Sequence, residues 1–370
     1  MSAAPPLDWL VPDYVKAFTA YVPSRPDDEL KRLYKIDRLY RLNNNENPLG
    51  PPPAAAAALA ATPPASLAVY PSGDCYHLRH RIAAVCGVGA DQVLVGNGAN
   101  EVIAFAINAF CEQGDSIVTG DRTFAVYEWV ATFTGIEARL APLRDWAFDP
   151  QAMLDAIGER TKIVFICNPN NPTGTYWSRA VLEAFLDRIG GRQIVVLDEA
   201  YGEFVTKPDF PDGISMIERH PNLVVFRTFS KMYGLANLRI GYMVGSAAVM
   251  EVVRRTCVVY SVNGIAQSAA LAAYGDVAHV ARTNAVVAES RRFVVEALEG
   301  LGVSFLANEA NYIMLRLPMS DTLAHRRLMA AGVMVRAMTG FRYPNYIRVS
   351  LALPEAMERF VEGVAGLVRR

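Results

Sequence analysis

From Asp91 onward, short β-branched or apolar runs recur along the chain, at residues 93–95, 116–119, 163–167, 194–197, 223–226 and 241–244. Each is apolar nearly throughout, without alternating polar positions, which predicts strands buried on both faces. Helix-compatible stretches such as 100–110 and 179–189 lie between several of them. Strands alternating with helices predict an α/β core built on a largely parallel sheet. After about Asn263 the pattern changes: helical periodicity dominates residues 266–300, followed by strand candidates at 312–316, 333–336 and 346–351. That order predicts a second, smaller α+β domain. Residues 1–45, rich in proline and charge, read as an arm with a short helix that contributes to the small domain. The expected division is therefore 1–45 for the arm, 46–262 for the large domain and 263–370 for the small one. Sheets of the first kind bind ligands beyond the carboxyl ends of their strands, so chemistry is expected just after the runs named above.

Composition narrows the class. Of the 370 residues, 52% are hydrophobic and 20% charged, enough apolar material for a large core and too much for global disorder. The net charge of −1 and the lack of long like-charge runs argue against nucleic acid or an acidic membrane surface as partner. The five cysteines (Cys75, Cys86, Cys111, Cys167, Cys257) form no CxxC pair, so no disulfide framework is expected and a reducing cytoplasm is the simplest location. The first residues lack the basic and then apolar order of a signal peptide, and no apolar run reaches the ~18 residues that span a bilayer. The alanine-rich stretch 54–61, bracketed by prolines, reads as one surface helix.

Four segments carry candidate chemistry. Asn168-Pro169-Asn170-Asn171-Pro172-Thr173-Gly174 follows the run 163–167. Its two prolines exclude regular helix or sheet, and its asparagines offer amides on a constrained turn. Asp198-Glu199-Ala200-Tyr201 follows the next run. An acid there commonly caps a helix, but its position one strand beyond the asparagine turn favours function. Ser230-Lys231 follows the run 223–226, with Gly234, Arg239 and Gly241 close behind, a composition suited to wrapping an anion. Gly96-Asn97-Gly98-Ala99-Asn100-Glu101 precedes an apolar helix. It fails the dinucleotide fingerprint at Glu101 but fits a phosphate seat at a helix N-terminus. His77 and His80 form an HxxH without further ligands, and read as a solvated helix face; no metal is expected. Glu128 and Trp129 read as helix packing. Cys257, beside Arg254 and Arg255, is the one cysteine with a basic neighbourhood.

Taken in order, Asn47-Pro48, Tyr70-Pro71, Gly98-Ala99, the asparagine turn, Asp198-Glu199-Ala200-Tyr201, Ser230-Lys231 and Arg239 resemble the fold type I pyridoxal-phosphate aminotransferases, and within them the histidinol-phosphate aminotransferase family. The resemblance runs from about Tyr21 to Leu351. It implies a large domain with a mostly parallel seven-stranded sheet, a smaller α+β C-terminal domain, pyridoxal 5′-phosphate as cofactor and a homodimer. Lys231 is then the lysine that holds the cofactor as a Schiff base and shuttles the proton, and Asp198 pairs with the protonated pyridine nitrogen. Asn171 and Tyr201 reach the ring oxygen. The backbone of Ala99 and Asn100, with Ser230 and Arg239, holds the phosphate. Phe124 stacks on the ring, and Tyr70 reaches across to the partner's cofactor phosphate. For the substrate, Arg348 matches the α-carboxylate arginine, Arg336 the arginine that meets a distal phosphate, and Tyr21 an arm tyrosine near that group.

The expected reaction is amino transfer between a small-molecule donor, histidinol phosphate, and a 2-oxo acid acceptor, 2-oxoglutarate, in histidine biosynthesis. Three departures from the family pattern leave other donors open. Arg342 stands in Gly340-Phe341-Arg342-Tyr343-Pro344 where relatives usually carry smaller or uncharged residues, which adds a cation near the pocket. No glycine-containing turn follows Arg348, and Asn100 stands where an acid is usual. A paralogue acting on an aromatic or specialised amino acid, or a threonine-phosphate decarboxylase, shares the core residues. A non-catalytic pyridoxal-binding regulator would need a DNA-binding segment, and the arm shows none. An NAD-dependent dehydrogenase fails on the glycine pattern.

Overall fold

In the computed structural model, which describes residues 7–18 and 25–368, the continuous apolar runs lie side by side in one seven-stranded sheet. Its strands are β1 (Val93–Gly96), β2 (Ser116–Gly120), β3 (Glu137–Ala141), β4 (Thr161–Cys167), β5 (Ile194–Asp198), β6 (Leu223–Thr228) and β7 (Gly241–Val244). They are ordered β1-β7-β6-β5-β4-β2-β3. Only β7 breaks the parallel arrangement, running antiparallel to both β1 and β6. The middle of the sheet is dry: Val164, Phe165, Val195, Val196 and Val225 are fully buried. This is why those strands read as unbroken apolar runs. β3 was not predicted, because an edge strand has one neighbour and Glu137 and Arg139 interrupt its apolar pattern.

Helices cover the sheet. α1 (Ala99–Phe110) buries Val102, Ile103, Ala106 and Ile107 on one stripe and packs on β1, β4, β6 and β7. α2 (Val126–Phe133) packs against β2 and β3. The stretch predicted as continuous helix, 266–300, is two helices, Gly264–Ala273 and α3 (Val277–Gly300). The break falls at Gly275, whose φ of +91° an L side chain rarely adopts.

The C-terminal unit is a four-stranded antiparallel sheet covered by α3, α4 (Asp321–Ala330) and α5 (Pro354–Val368). Its strands, β8 (Phe305–Leu306), β9 (Tyr312–Arg316), β10 (Arg336–Ala337) and β11 (Tyr346–Ser350), are ordered β8-β9-β11-β10. The strand predicted at 333–336 is divided. Val333–Met334 pairs in parallel with Tyr40–Arg41 of the arm, whereas Arg336–Ala337 pairs with β11. No helix among the described residues is long and apolar enough to cross a membrane.

Residues 42 to 47 strap the two units together. Ser350 donates its backbone N–H to the Leu42 carbonyl at 2.8 Å, and its hydroxyl accepts the Asn45 N–H at 2.8 Å. The Asn311 side chain donates to the Asn45 carbonyl at 3.0 Å, and Asn47 Nδ2 donates to the Met232 carbonyl at 2.6 Å. The arm thus bonds both to the C-terminal sheet and to the turn after β6. Because the core is dry and close-packed, Phe165→Ala, which removes a ring stacked on Tyr127 at 4.8 Å, should cost about 3–5 kcal/mol. A clear fall in the urea midpoint checks this; an unchanged midpoint would contradict the packing described.

Candidate active site

The carboxyl ends of β4, β5 and β6 are in register, with Cys167 opposite Asp198 and Asp198 opposite Phe226. Chain leaving these strands therefore converges on one spot. Lys231, three residues beyond β6, donates from Nζ to the Asn44 carbonyl at 2.6 Å and lies 5.8 Å from the Tyr201 ring centre. Burial pushes its amine down to about 8, and the cations of Arg348 and Arg239 push the same way, against Glu46. A sizeable fraction of free amine, the nucleophilic form, is thus present at neutral pH.

Asp198 is 3% exposed. Tyr127 donates its hydroxyl to one carboxylate oxygen at 2.5 Å, and the Ala200 N–H donates to the other at 3.0 Å. Burial raises its pKa, and these two bonds oppose the rise. It makes no ion pair among the described residues, unlike its neighbour Glu199, which is equally buried but forked by Arg227 at 2.7 and 2.9 Å. Of the two adjacent acids, one is spent on structure and the other is held without a cation.

A cationic seat lies beside the lysine. Gly98 opens α1 with φ +80°, and a Cβ built on it would sit 2.5 Å from the Arg239 Nη2. The guanidinium therefore lies over the helix N-terminus, where the Ala99 and Asn100 backbone sits and the helix dipole is positive. Arg239 donates to the Ala236 carbonyl and is in no ion pair among the described residues. Ser230, 7% exposed, occupies the turn just before Lys231. Glu101 in the first turn of α1 is turned back onto the Asn97 N–H at 2.6 Å and the Ser261 hydroxyl at 2.8 Å, and the two positive features fit an anion.

Arg348 forms the far wall. It is 5% exposed, donates to the Asn43 carbonyl at 2.9 Å and to the Asn171 side-chain oxygen, and leaves Nε without a partner. Burial lowers its pKa, the nearby Tyr201 and Tyr312 hydroxyls oppose this, and Arg336 adds to the lowering. Arg336 stands directly opposite Arg348 in the β10–β11 register, so the two side chains share a face. Its guanidinium carbon lies 5.9 Å from the Phe341 ring centre, and Arg336 is in no ion pair among the described residues.

The sequence-predicted residues divide accordingly. Lys231, Asp198, Asn171, Tyr201, Arg348 and Arg336 gather at the strand ends, and Ser230, Arg239, Ala99 and Asn100 form the adjoining cationic seat. Tyr201 accepts a hydrogen bond from Asn45 at 2.9 Å. Phe124 is half-buried and meets Tyr127 edge-on at 5.5 Å. Tyr70 stands apart: it is 81% exposed and meets the Tyr260 ring at a tilt, 5.0 Å between centres. Tyr21 lies outside the described residues. Arg342 does not add a free cation near the pocket, because its guanidinium bonds both Glu128 oxygens at 2.8 and 2.9 Å and the Asp121 carbonyl at 2.6 Å. Glu128 therefore holds an ion pair as well as packing. Burial pushes the Cys257 thiol up to about 11, which leaves it unsuited to be a nucleophile.

Four site residues escaped the sequence reading: Asn43, Asn44, Asn45 and Tyr127. The first three sit in a run, Asn43-Asn44-Asn45-Glu46-Asn47, whose density of amides before Pro48 was a usable signal. Tyr127 lies three residues beyond Phe124 at the start of α2, a spacing that brings side chains together on a helix.

The aminotransferase class I and II family model matches residues 37–364. The chain is 39% identical over 352 residues to the histidinol-phosphate aminotransferase of Anaeromyxobacter sp. strain Fw109-5, covering 95% of this chain and 96% of that one. It is also 39% identical to histidinol-phosphate aminotransferase 2 of Pseudomonas aeruginosa, covering 95% of both. Its fold is similar, at a TM-score of 0.86 and 23% identity, to a Sinorhizobium meliloti histidinol-phosphate aminotransferase solved in complex with pyridoxal-5′-phosphate. That match covers 96% of this chain and 97% of the other.

The depressed amine makes a direct prediction. Adduct formation between Lys231 and a small aldehyde should follow a titration with a midpoint near 8, where an exposed lysine would give one at about 10.4. Mass mapping of borohydride-trapped adduct across a pH series measures it; a midpoint at the exposed value would show that burial does not act on this amine.

Proposed function

The chain belongs to the class I and II aminotransferases, and we propose that it transfers an amino group between histidinol phosphate and 2-oxoglutarate, with pyridoxal 5′-phosphate as cofactor, as a step of histidine biosynthesis. The observation that carries the substrate is Arg336 opposite Arg348: two guanidiniums on one face suit a doubly charged phosphate or the two carboxylates of a dicarboxylic acid. Histidinol phosphate has no carboxylate, so the pair receives its phosphate, and the same two arginines take the two carboxylates of 2-oxoglutarate in the other half-reaction. The names of the relatives, histidinol-phosphate aminotransferases at 39% identity, support the same substrate.

The residues fit the cofactor. A buried carboxylate without a cation suits a pyridinium, an arginine over a helix N-terminus suits a phosphate, and an amine depressed to about 8 suits an aldehyde. Pyridoxal 5′-phosphate, when bound, supplies the aldehyde and a ring that delocalises the electron pair left at the substrate Cα. Asp198 would hold the positive charge at the ring nitrogen, its charged form favoured by Tyr127 and the Ala200 N–H against burial. Ala99, Asn100, Ser230 and Arg239 would hold the phosphate. Phe124 would cover the ring face, and Asn171 and Tyr201 would hydrogen-bond its oxygen. Lys231 would anchor the group and then carry the proton that leaves Cα, a role that its lowered amine pKa suits.

The same reading divides the chain into an arm (1–45), a large cofactor domain (46–262) and a small domain (263–370), and puts the enzyme in the cytoplasm, where its five free cysteines stay reduced. It also makes the enzyme a homodimer in which Tyr70 reaches the partner's cofactor phosphate and Tyr21 approaches the distal end of the substrate. The exposed patch of Val69, Tyr70, Val259 and Tyr260 supports this, since grouped apolar side chains seek a partner surface.

Three measurements test the proposal. Borohydride should trap cofactor on the purified protein and not on Lys231→Ala; label retained by the variant would overturn the anchor. In a half-reaction screen, histidinol phosphate should bleach the cofactor absorbance, and Arg336→Ala should raise its KM by about a hundredfold while changing that of alanine little. Carbon dioxide release without glutamate formation would instead identify a decarboxylase. Sedimentation should give two chains per particle, with Val259→Glu shifting it to one and weakening cofactor retention.

A further inference from the structure

Asp198 sits where burial disfavours its charge, and the side chain that answers this is a neutral one. Its neighbour Glu199 is held by a cation, with Arg227 at 2.7 and 2.9 Å. Asp198 instead accepts the Tyr127 hydroxyl at 2.5 Å and the Ala200 N–H at 3.0 Å. A lysine or arginine in place of Tyr127 would cancel the carboxylate's charge and compete with any cation brought to it. A phenol stabilises that charge without cancelling it. Burial pushes the Tyr127 hydroxyl well above its ordinary range, and the Asp198 carboxylate pushes the same way. The phenol therefore keeps its proton near neutral pH and remains a donor. The other titratable groups facing Asp198 are Cys167 from β4 and Tyr201 from its own segment, both pushed up to about 12 by burial. On the remaining side, β6 sets the apolar Phe226 opposite it in register. None of these changes charge near neutral pH, so the balance between burial and the two donated bonds decides whether the acid is ionised.

The packing around Tyr127 holds that hydroxyl in place. The side chain is fully buried in the first turn of α2. Its ring stacks on Phe165 at 4.8 Å and meets Phe124 edge-on at 5.5 Å, which fixes the ring plane from two directions. We propose that Tyr127 is a positioning residue that acts through Asp198: its hydroxyl keeps the carboxylate ionised and so gives the site its preference for a ring that carries a protonated nitrogen. This rests on the proposed role of Asp198 at the cofactor ring nitrogen. Burial raises the Asp198 pKa and the Tyr127 bond opposes the rise, so removing the hydroxyl raises it further. The acid then keeps a proton of its own up to a higher pH, and in that form it has no charge to offer a pyridinium. The loss is therefore greatest at low pH and shrinks as the pH rises.

Tyr127→Phe tests this, because it keeps the ring and its contacts with Phe165 and Phe124 and removes only the hydroxyl. The full-length chain, freed of cofactor, is titrated with pyridoxal 5′-phosphate and with the analogue that has C–H in place of the ring nitrogen. Binding is followed by absorbance between about pH 6 and about pH 8. The ratio of the two dissociation constants cancels the phosphate and aldehyde contributions, which both ligands share. The wild type should prefer the nitrogen compound throughout. Tyr127→Phe should cut that preference about thirtyfold, the worth of one hydrogen bond to a charged group, and should weaken the C–H analogue by no more than about twofold. The cut should be larger at the acid end of the range. Asp198→Asn should remove most of the preference, and adding Tyr127→Phe to it should change the ratio no further. A ratio left unchanged by Tyr127→Phe overturns the inference. So does an equal weakening of both ligands, which would make Tyr127 a packing residue only, or a further loss in the double variant, which would show that it does not act through Asp198. If the wild type does not distinguish the two ligands, Asp198 does not meet the ring nitrogen, and that reading falls together with the inference. A wild type that discriminates beside a Tyr127→Phe variant that discriminates equally well removes the inference alone.

Discussion

Two buried ionisable groups of opposite kind, an acid and an arginine, each lacking a counter-ion of its own among the described residues, govern how the rest of the site is arranged. Asp198 and Arg348 are both at least nine-tenths removed from water, and neither is in an ion pair among the described residues. An uncompensated charge in such a place is costly, so it persists only where hydrogen bonds hold the charged form. Tyr127 and the Ala200 N–H do this for Asp198, and the Asn43 carbonyl and Asn171 do it for Arg348. Pairing them with each other would have neutralised the site. Anchoring one at the end of β5 and the other on β11 leaves a cation-seeking group in the large sheet and an anion-seeking group beside Lys231.

The strap of residues 42 to 47 follows from that need. Arg348 belongs to the C-terminal sheet and Lys231 to the turn after β6, so their relation depends on how the two units sit together. Asn43 binds Arg348, Asn44 binds Lys231, Asn45 binds Tyr201 and Ser350, and Asn47 binds the Met232 carbonyl. Successive polar residues of one short segment thus each meet a different part of the site. Asn45 manages this with φ +57°, a conformation that asparagine tolerates better than most residues. The amide run is dense because an extended segment crossing a buried gap must satisfy its neighbours' backbone and side chains as it goes.

How much could be read beforehand varied with the kind of signal. Five of the seven large-sheet strands began or ended within two residues of the expected positions, and β7 matched throughout, because strands buried on both faces leave an unbroken apolar record. The edge strand β3 left none, since Glu137 and Arg139 face water there. The strand at 333–336 was legible as extended chain, but its division between the arm and β11 was not, because one half pairs with a segment near the other end of the chain and the other half with the next strand. Arg342 shows the limit most clearly. As a letter in the sequence it adds a positive charge near the substrate; folded, that charge is turned onto Glu128 and is absent from the pocket.

Lys231, Asp198, Asn171, Tyr201 and Arg239 stand out by their place after plain apolar runs, whereas Arg348, inside β11, is nominated only by the family resemblance. The sequence by itself determined the α/β architecture, the strand ends at which chemistry gathers and the side chains offered there, all of which are local properties of pattern and residue type. Only the tertiary structure decided which charges stay free. Whether an arginine or a carboxylate meets a partner depends on which distant segments are packed beside it, and burial then decides how strongly it demands one. That is how Arg227 and Glu199 cancel, Arg342 is tied to Glu128, and Asp198, Arg239, Arg336 and Arg348 remain to receive a charged ligand.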